Sequence, residues 1–201
     1  MGSPDPRFGL NGQVDFRLQR MLKAYSKQDP PPNRVKPVPV QVLRRIMLIA
    51  HSSNDPFQAA VADMICLAFF FLLRPGEYVD SPSDSVPFKC TNVQLFRGRQ
   101  RLNLRTATEG ELLTATFSSL TFDNQKHTVL RGEVIGLSPS GDRLLCPRAA
   151  IARRILHLRQ HNAPDDAPLW RVYTAPGRVT SVKPTVITDT LRAGCCPLSR
   201  P

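Results

Sequence analysis

The chain has 201 residues, 41% of them hydrophobic, which is enough for one folded core or for one domain with an appended piece. Its formal net charge of +11 favours a polyanionic partner, with nucleic acid ahead of a membrane surface. The longest apolar run, residues 57–73, contains Gln58 and Asp63 and so predicts a buried helix rather than a membrane span. We therefore expect no membrane partner.

Cysteine usage argues against a disulfide framework and against a zinc site. The cysteines are odd in number and none forms a C-x-x-C pair: Cys66, Cys90, Cys146, Cys195 and Cys196. This usage is typical of a reducing environment. We expect an intracellular protein, in the cytoplasm or the nucleus depending on its source, without a metal or another cofactor.

The N-terminal part of the chain predicts a tail, one helix and a linker. Residues 1–13 lack an apolar pattern and are expected to be disordered or tag-like. Apolar side chains at helical spacing within residues 14–25 predict an amphipathic helix with a basic outer face. Residues 28–39 contain five prolines and predict an extended linker, because each proline fixes its own φ and disfavours helix in the residue before it. We place a domain boundary there.

Two helices are predicted after the linker. The first begins at Pro39 and turns one apolar face to the core: Leu43, Ile46, Met47 and Ala50. The second is expected to be capped by Asp55, with Pro56 in its first position, and to end at about Leu73 because Pro75 and Gly76 follow.

The end of this second helix brings a cation to the rim of the core. Residues 64–73 are uncharged and need burial, and Arg74 follows directly. A guanidinium beside such an interior requires an anionic partner. We therefore expect Glu77, three residues further on, to hold the Arg74 guanidinium.

The pattern then changes from helical to strand-like. Four strands are predicted, within residues 88–95, 101–106, 112–122 and 127–137, with a turn or bulge at Gly98. Helices followed by a small antiparallel sheet predict an α+β fold that is mostly helical.

Four arginines occupy odd-numbered positions in this region: Arg97, Arg99, Arg101 and Arg105. In a continuous strand all four would project from one face, and a basic sheet face suits contacts to DNA phosphates. A solvated edge kept basic against aggregation explains the same pattern, and Gly98 with Gln100 can break the register.

Two more helices are predicted in the last third of the chain. Pro147 begins the first, which is expected to keep four arginines outside: Arg148, Arg153, Arg154 and Arg159. Pro184 begins the second, which runs to about Ala193. His157 and His161 are four residues apart on the first helix, but no carboxylate lies between them, so we do not expect a metal site.

Three features, in this order along the chain, resemble the tyrosine recombinase (integrase) family. The segment Leu73-Arg74-Pro75-Gly76-Glu77 resembles the R-x-x-E box, whose arginine grips the scissile DNA phosphate. Lys126 lies between the third and fourth predicted strands, as the hairpin lysine of the family does. Residues 145–150 are similar to the C-P-x-x-A segment that follows the family's sheet.

The resemblance implies a site and a domain organisation. Arg74 and Lys126 would be catalytic, with Glu77 in support. Residues 39–201 would be a catalytic domain, and residues 14–38 the end of a helical DNA-binding domain with its linker. The family breaks and rejoins DNA in recombination and integration, often in mobile genetic elements. The resemblance therefore implies DNA as a partner and a homo-oligomer on DNA.

The sequence also departs from the family. It contains no His-x-x-Arg, and its tyrosines, Tyr25, Tyr78 and Tyr173, do not match the nucleophile by order. We therefore expect a C-terminally truncated, frameshifted or degenerate copy that binds DNA without cleaving it. Two alternatives stay open: a non-enzymatic basic DNA-binding remnant, and an unrelated basic domain that binds protein.

Overall fold

The structure is a computed structural model that describes residues 14–25, 37–82, 86–122, 132–175 and 178–195. Its internal contacts divide the chain into two units, Met1–Pro37 and Val38–Pro201. The predicted tail at 1–13 and most of the predicted linker lie outside the described residues.

The first unit contains one described helix, α1, at Phe16–Tyr25. At its start the Leu18 N–H donates to the Asp15 carboxylate at 3.4 Å, which satisfies one of the amides that a helix N-terminus leaves unpaired. The helix predicted within residues 14–25 is confirmed. Two of its apolar side chains, Phe16 and Met21, are exposed within this unit.

The second unit holds six described helices and six described strands. The helices are α2 (Val40–Ser52), α3 (Pro56–Phe71), α4 (Pro75–Tyr78), α5 (Glu109–Leu113), α6 (Pro147–Gln160) and α7 (Pro184–Cys195). The strands are β1 (Val93–Arg97), β2 (Gln100–Arg101), β3 (Phe117–Phe122), β4 (Glu133–Leu137), β5 (Arg171–Ala175) and β6 (Arg178–Ser181). The fold is α+β, as predicted.

Helix α3 is the centre of this unit. The Asp55 side chain accepts the Phe57 N–H at 2.9 Å and Pro56 is the first helical residue, so the predicted cap is confirmed. Residues 60–67 are all buried, and the helix packs against α2, α6, α7 and β5. The four residues predicted to form the apolar face of α2 are buried as well.

The end of α3 differs from the prediction. The helix ends at Phe71, and Leu72 adopts a left-handed conformation with φ of 54° and an exposed side chain. Pro75 and Gly76 do not stop α3 but begin the one-turn helix α4. Proline favours the first position of a helix, which explains the restart.

The strands form two antiparallel sheets. The larger has the order β2-β1-β3-β4, with Val93 opposite Leu120 and Leu120 opposite Ile135, and β5 pairs with β6 in the smaller. Helix α6 packs against α3 and also against β1 and β3, so the core lies between the helices and the larger sheet.

Three of the four predicted strands are wrong in part. In the first, predicted within 88–95, residues 90–92 form a 3-10 turn and the strand begins at Val93. Residues 102–106 are not strand, because β2 comprises only Gln100 and Arg101. The start of the predicted 112–122 strand is the end of α5, whose N-terminus is fixed by reciprocal hydrogen bonds between Thr108 and Glu111. The start of the predicted 127–137 strand lies outside the described residues.

None of the helices in the described part of the chain is long and apolar enough to cross a membrane.

Candidate functional site

Arg74 lies on a turn that its own neighbours fix. Its backbone N–H donates to the Glu77 carboxylate at 2.9 Å, and Glu77 is only 3% exposed. Glu77 therefore holds the main chain of Arg74, not the guanidinium, which corrects the expected side-chain pair. The Arg74 side chain is exposed, and none of the ion pairs among the described residues includes it. Its guanidinium is thus presented to solvent from a rigid turn.

This turn is joined to the end of β3. The Phe88 N–H donates to the Glu77 carbonyl at 2.8 Å, and the Phe88 ring lies edge to face against Phe122 with 5.0 Å between ring centroids. Phe122 is the last residue of β3, and the chain returns at β4 after residues 123–131. Lys126 belongs to that connection and lies outside the described residues. Phe88 therefore links the Arg74 turn to β3, the strand that precedes Lys126 in the sequence.

A second exposed cation lies next to the same turn. The Asp80 N–H donates to the Val182 carbonyl at 2.8 Å, and Lys183 follows Val182 with an exposed side chain. Sequence reasoning missed Lys183. Its position gave a faint signal, since Pro184 begins α7 and a cation at a helix N-terminus opposes the helix dipole.

The four odd-numbered arginines do not share one strand face. Gly98, with φ of 59°, turns the chain between β1 and β2, so the segment is a hairpin. Arg97 pairs with Gln100, whereas Arg101 pairs with Phe96. Because paired residues share a face and successive residues alternate, Arg97 and Arg101 project from opposite faces. The expectation of one basic face is therefore wrong.

Their charges are not equally available. The side chain of Arg105 forms an ion pair and hydrogen bond with Asp165, which raises the pKa of the guanidinium, and Arg97 lies 4.0 Å from the Glu111 carboxylate. Arg99 and Arg101 are exposed, and no carboxylate in the described ranges pairs with either of them. Within this segment, they are the two arginines whose charge is not offset locally.

Arg154 of α6 is buried and Arg148, Arg153 and Arg159 are half-buried, whereas the prediction kept all four outside. Arg154 is 2% exposed and donates to the carbonyl oxygens of Leu169, at 2.9 Å, and of Arg171. Burial lowers the pKa of the Arg154 guanidinium to about 10. Arg148 and Arg159 donate to the carbonyl oxygens of Leu113 and Ala107. These three side chains hold loops and helix ends together.

Arg153 forms the buried ion pair of the core. Its Nε and Nη2 atoms lie 2.9 and 2.5 Å from Oδ1 of Asp63, which is almost fully buried in α3. His51 Nε2 lies 3.5 Å from the same oxygen. The pair joins α6 to α3 across 90 residues of sequence. The Asp63 carboxylate offsets the charge of Arg153, and Arg154 is buried, so neither cation is well placed for a polyanion.

The two histidines of α6 join an aromatic stack. His157 Nε2 accepts the Tyr173 N–H at 3.0 Å, and the Tyr173 ring stacks on His161 with 4.9 Å between centroids. Burial and the nearby Arg154 lower the pKa of His157 to about 4, so the ring is neutral at pH 7 and can accept this bond. In the part of the chain that the structure describes, no group of three or more His, Cys, Asp or Glu residues is placed to hold a metal ion.

The two described tyrosine side chains differ in exposure. Tyr78 is 7% exposed and burial raises the pKa of its hydroxyl, while Tyr173 is half-buried in the histidine stack. The side chain of Tyr25 lies outside what the structure describes.

Comparison with known proteins finds no family model, no curated protein and no solved structure that matches this chain.

Proposed function

We propose that this chain, whose sequence motifs resemble part of a tyrosine recombinase catalytic domain, binds DNA through exposed arginines. The observation that carries the proposal is the contrast among the arginines. Those of α6 are used inside the fold, while Arg74, Arg99 and Arg101 are exposed and lack a carboxylate partner among the described residues. Uncompensated guanidinium groups on a chain of charge +11 are suited to phosphate contacts.

Arg74 is the proposed centre of the interface. A guanidinium binds a phosphate with two parallel N–H donors, and this works best when the backbone that carries it is fixed. The Glu77 carboxylate provides that fixation through the Arg74 N–H. The link through Phe88 joins the Arg74 turn to the end of β3, the strand that precedes Lys126 in the sequence. In the family, such a lysine gives a proton to the leaving 5′ oxygen.

We propose binding without cleavage for these 201 residues. The sequence contains no His-x-x-Arg to supply the second arginine that the family places at the phosphate. Tyr78 is buried, whereas a phosphotyrosyl link requires an accessible hydroxyl, and Tyr173 does not match the family's nucleophile by order. DNA integration and recombination would then be the activity of intact relatives, and this chain would occupy DNA in the cytoplasm or the nucleus.

Replacing Arg99 and Arg101 together with glutamine is expected to flatten the salt dependence of duplex binding. Each lost phosphate contact lowers the slope of log K against log salt by about 0.9, so the double variant should lose close to 2. The measurement is fluorescence anisotropy of a labelled duplex over a range of salt concentrations.

The matched control removes the same charge elsewhere. Arg44 and Arg192 are exposed but paired with Asp142 and Asp189, so the variant with both changed to glutamine should keep most of the slope. Equal slopes for the two double variants would show that only net charge matters and that the hairpin makes no specific contacts. A folded chain that binds no duplex at low salt would favour the protein-binding alternative.

A further inference from the structure

Two neighbouring cavities form one groove beside the arginine hairpin. They have volumes of about 460 and 410 Å³ and share four residues as walls: Cys90, Leu104, Arg105 and Asp165. One side is the segment after β2, and the other is the end of α6 with the loop that follows it. Each volume lies in the range of sites for small ligands, about 300–1,000 Å³.

The groove carries an excess of positive charge. Arg101 and Arg105 line one wall, against the single carboxylate of Asp165, and Arg159, whose guanidinium also donates to the Ala107 carbonyl, lines the other. The side chains of Arg105 and Asp165 are 63% and 62% exposed, so their ion pair is exposed and weak. An anion that enters the groove can replace Asp165 on Arg105 at small cost.

The rest of the lining consists mainly of apolar side chains, with one asparagine side chain on each side of the groove. Val93, Leu102 and Leu158 are buried side chains that line the cavities. Asn103 and Asn162 lie at the two sides. Asn103 accepts the Arg105 N–H through its amide oxygen at 2.9 Å, which leaves the two amide N–H donors of the same side chain for a ligand.

We propose that this groove binds a nucleoside monophosphate. The phosphate would lie between Arg101 and Arg105 in place of the Asp165 carboxylate, and the base would lie on the apolar lining with its polar edge toward the asparagine amides. A nucleoside monophosphate combines an anionic end with a flat base that has apolar faces and polar edges, which is the combination that the groove offers. The lining does not include the Arg74 turn and shares only Arg101 with the residues proposed to contact a duplex, so occupation of the groove does not require duplex binding.

The test is calorimetric titration of the full chain with three probes: adenosine 5′-monophosphate, adenosine and inorganic phosphate. We expect adenosine 5′-monophosphate to bind at least tenfold more tightly than either fragment, since only it uses both ends of the groove. Binding of inorganic phosphate as tight as that of the nucleotide would overturn the ligand class. Absence of nucleotide binding would overturn the site. Both results are independent of whether the chain binds a duplex.

Three variants locate the site. Arg105→Gln should weaken nucleotide binding about tenfold, because it removes a charge-assisted hydrogen bond. Asp165→Asn should strengthen it about two- to fivefold, because the internal competitor is lost and an exposed ion pair has about that value. Arg192→Gln, the control on α7, should change nothing. All three changes lie at exposed positions, so thermal melting should stay at the wild-type value. Nucleotide affinity unaltered by Arg105→Gln would contradict the proposal.

A last probe distinguishes two sources of the same chemistry. A single-stranded oligonucleotide with a 5′-phosphate that competes with adenosine 5′-monophosphate would identify a strand end as a ligand of the groove. An oligonucleotide that does not compete, while the free nucleotide binds, would assign the groove to free nucleotides. Each result supports a nucleoside monophosphate site.

Discussion

Replacing Arg153 with methionine is expected to lower the free energy of unfolding by about 3–5 kcal/mol, because it leaves a buried carboxylate without its cation. Asp63 is 1% exposed, and the Nε and Nη2 atoms of Arg153 both donate to the same carboxylate oxygen, Oδ1. His51 Nε2 also lies 3.5 Å from that oxygen. Urea unfolding followed by circular dichroism measures the loss.

A second substitution separates the pair from simple packing. Changing Asp63 to leucine in the Arg153→Met background removes the orphaned carboxylate, so the double variant should be more stable than Arg153→Met alone. Arg192→Met, an exposed position on α7, should cost less than about 0.5 kcal/mol. A double variant that is no more stable than Arg153→Met would show that the lost stability comes from changed packing and not from an unpaired charge.

Arg154→Met is expected to cost about 2–4 kcal/mol by a different route. The Arg154 guanidinium donates to the carbonyls of Leu169 and Arg171 inside the core, and methionine has no donor to replace it. Each buried acceptor left without a partner costs about 1–3 kcal/mol. Part of this is offset because the guanidinium itself loses hydration on burial, as its lowered pKa of about 10 indicates.

The same urea experiment checks this value, with Arg143→Met as the control at an exposed position. A loss as small as that of the control would mean that water reaches the two carbonyls. The account would then be wrong in treating Arg154 as a structural bond donor.

The helices were predictable because their signals are local. Asp55 and Pro56 mark the start of α3, Pro147 that of α6 and Pro184 that of α7, and each lies at the start of an apolar pattern. The missed helix α5 also had a signal, Thr108 followed by Glu111. This capping box competes with a strand-like alternation in the residues that follow it.

The α6 arginines could not be placed from their own pattern. If α6 is treated as an amphipathic helix, every arginine is predicted on its solvent face, since burying a charge is costly. What makes burial possible here is a set of acceptors from distant parts of the chain, namely Asp63, 90 residues away, and loop carbonyls. Asp63 within an apolar run was the one visible sign that a cation must come to α3.

The candidate site was predictable only in part. The exposed Arg74 at the edge of the core follows from an apolar run that ends in a cation. The position of Glu77 was predictable from the spacing but its partner was not, because a carboxylate three residues on can bond either the side chain or the main-chain N–H. The hairpin at Gly98 separated arginines that a continuous strand would have aligned.

The most direct test of the proposed DNA binding is the affinity of the wild-type chain and of Arg74→Gln for a labelled duplex at low salt. We predict that the wild type binds and that the variant binds about tenfold more weakly, since a charge-assisted phosphate contact from a fixed turn is lost. Arg192→Gln, the same change at an exposed arginine that is paired with Asp189, should bind nearly as well as the wild type. Equal affinity of Arg74→Gln and the wild type would contradict the account.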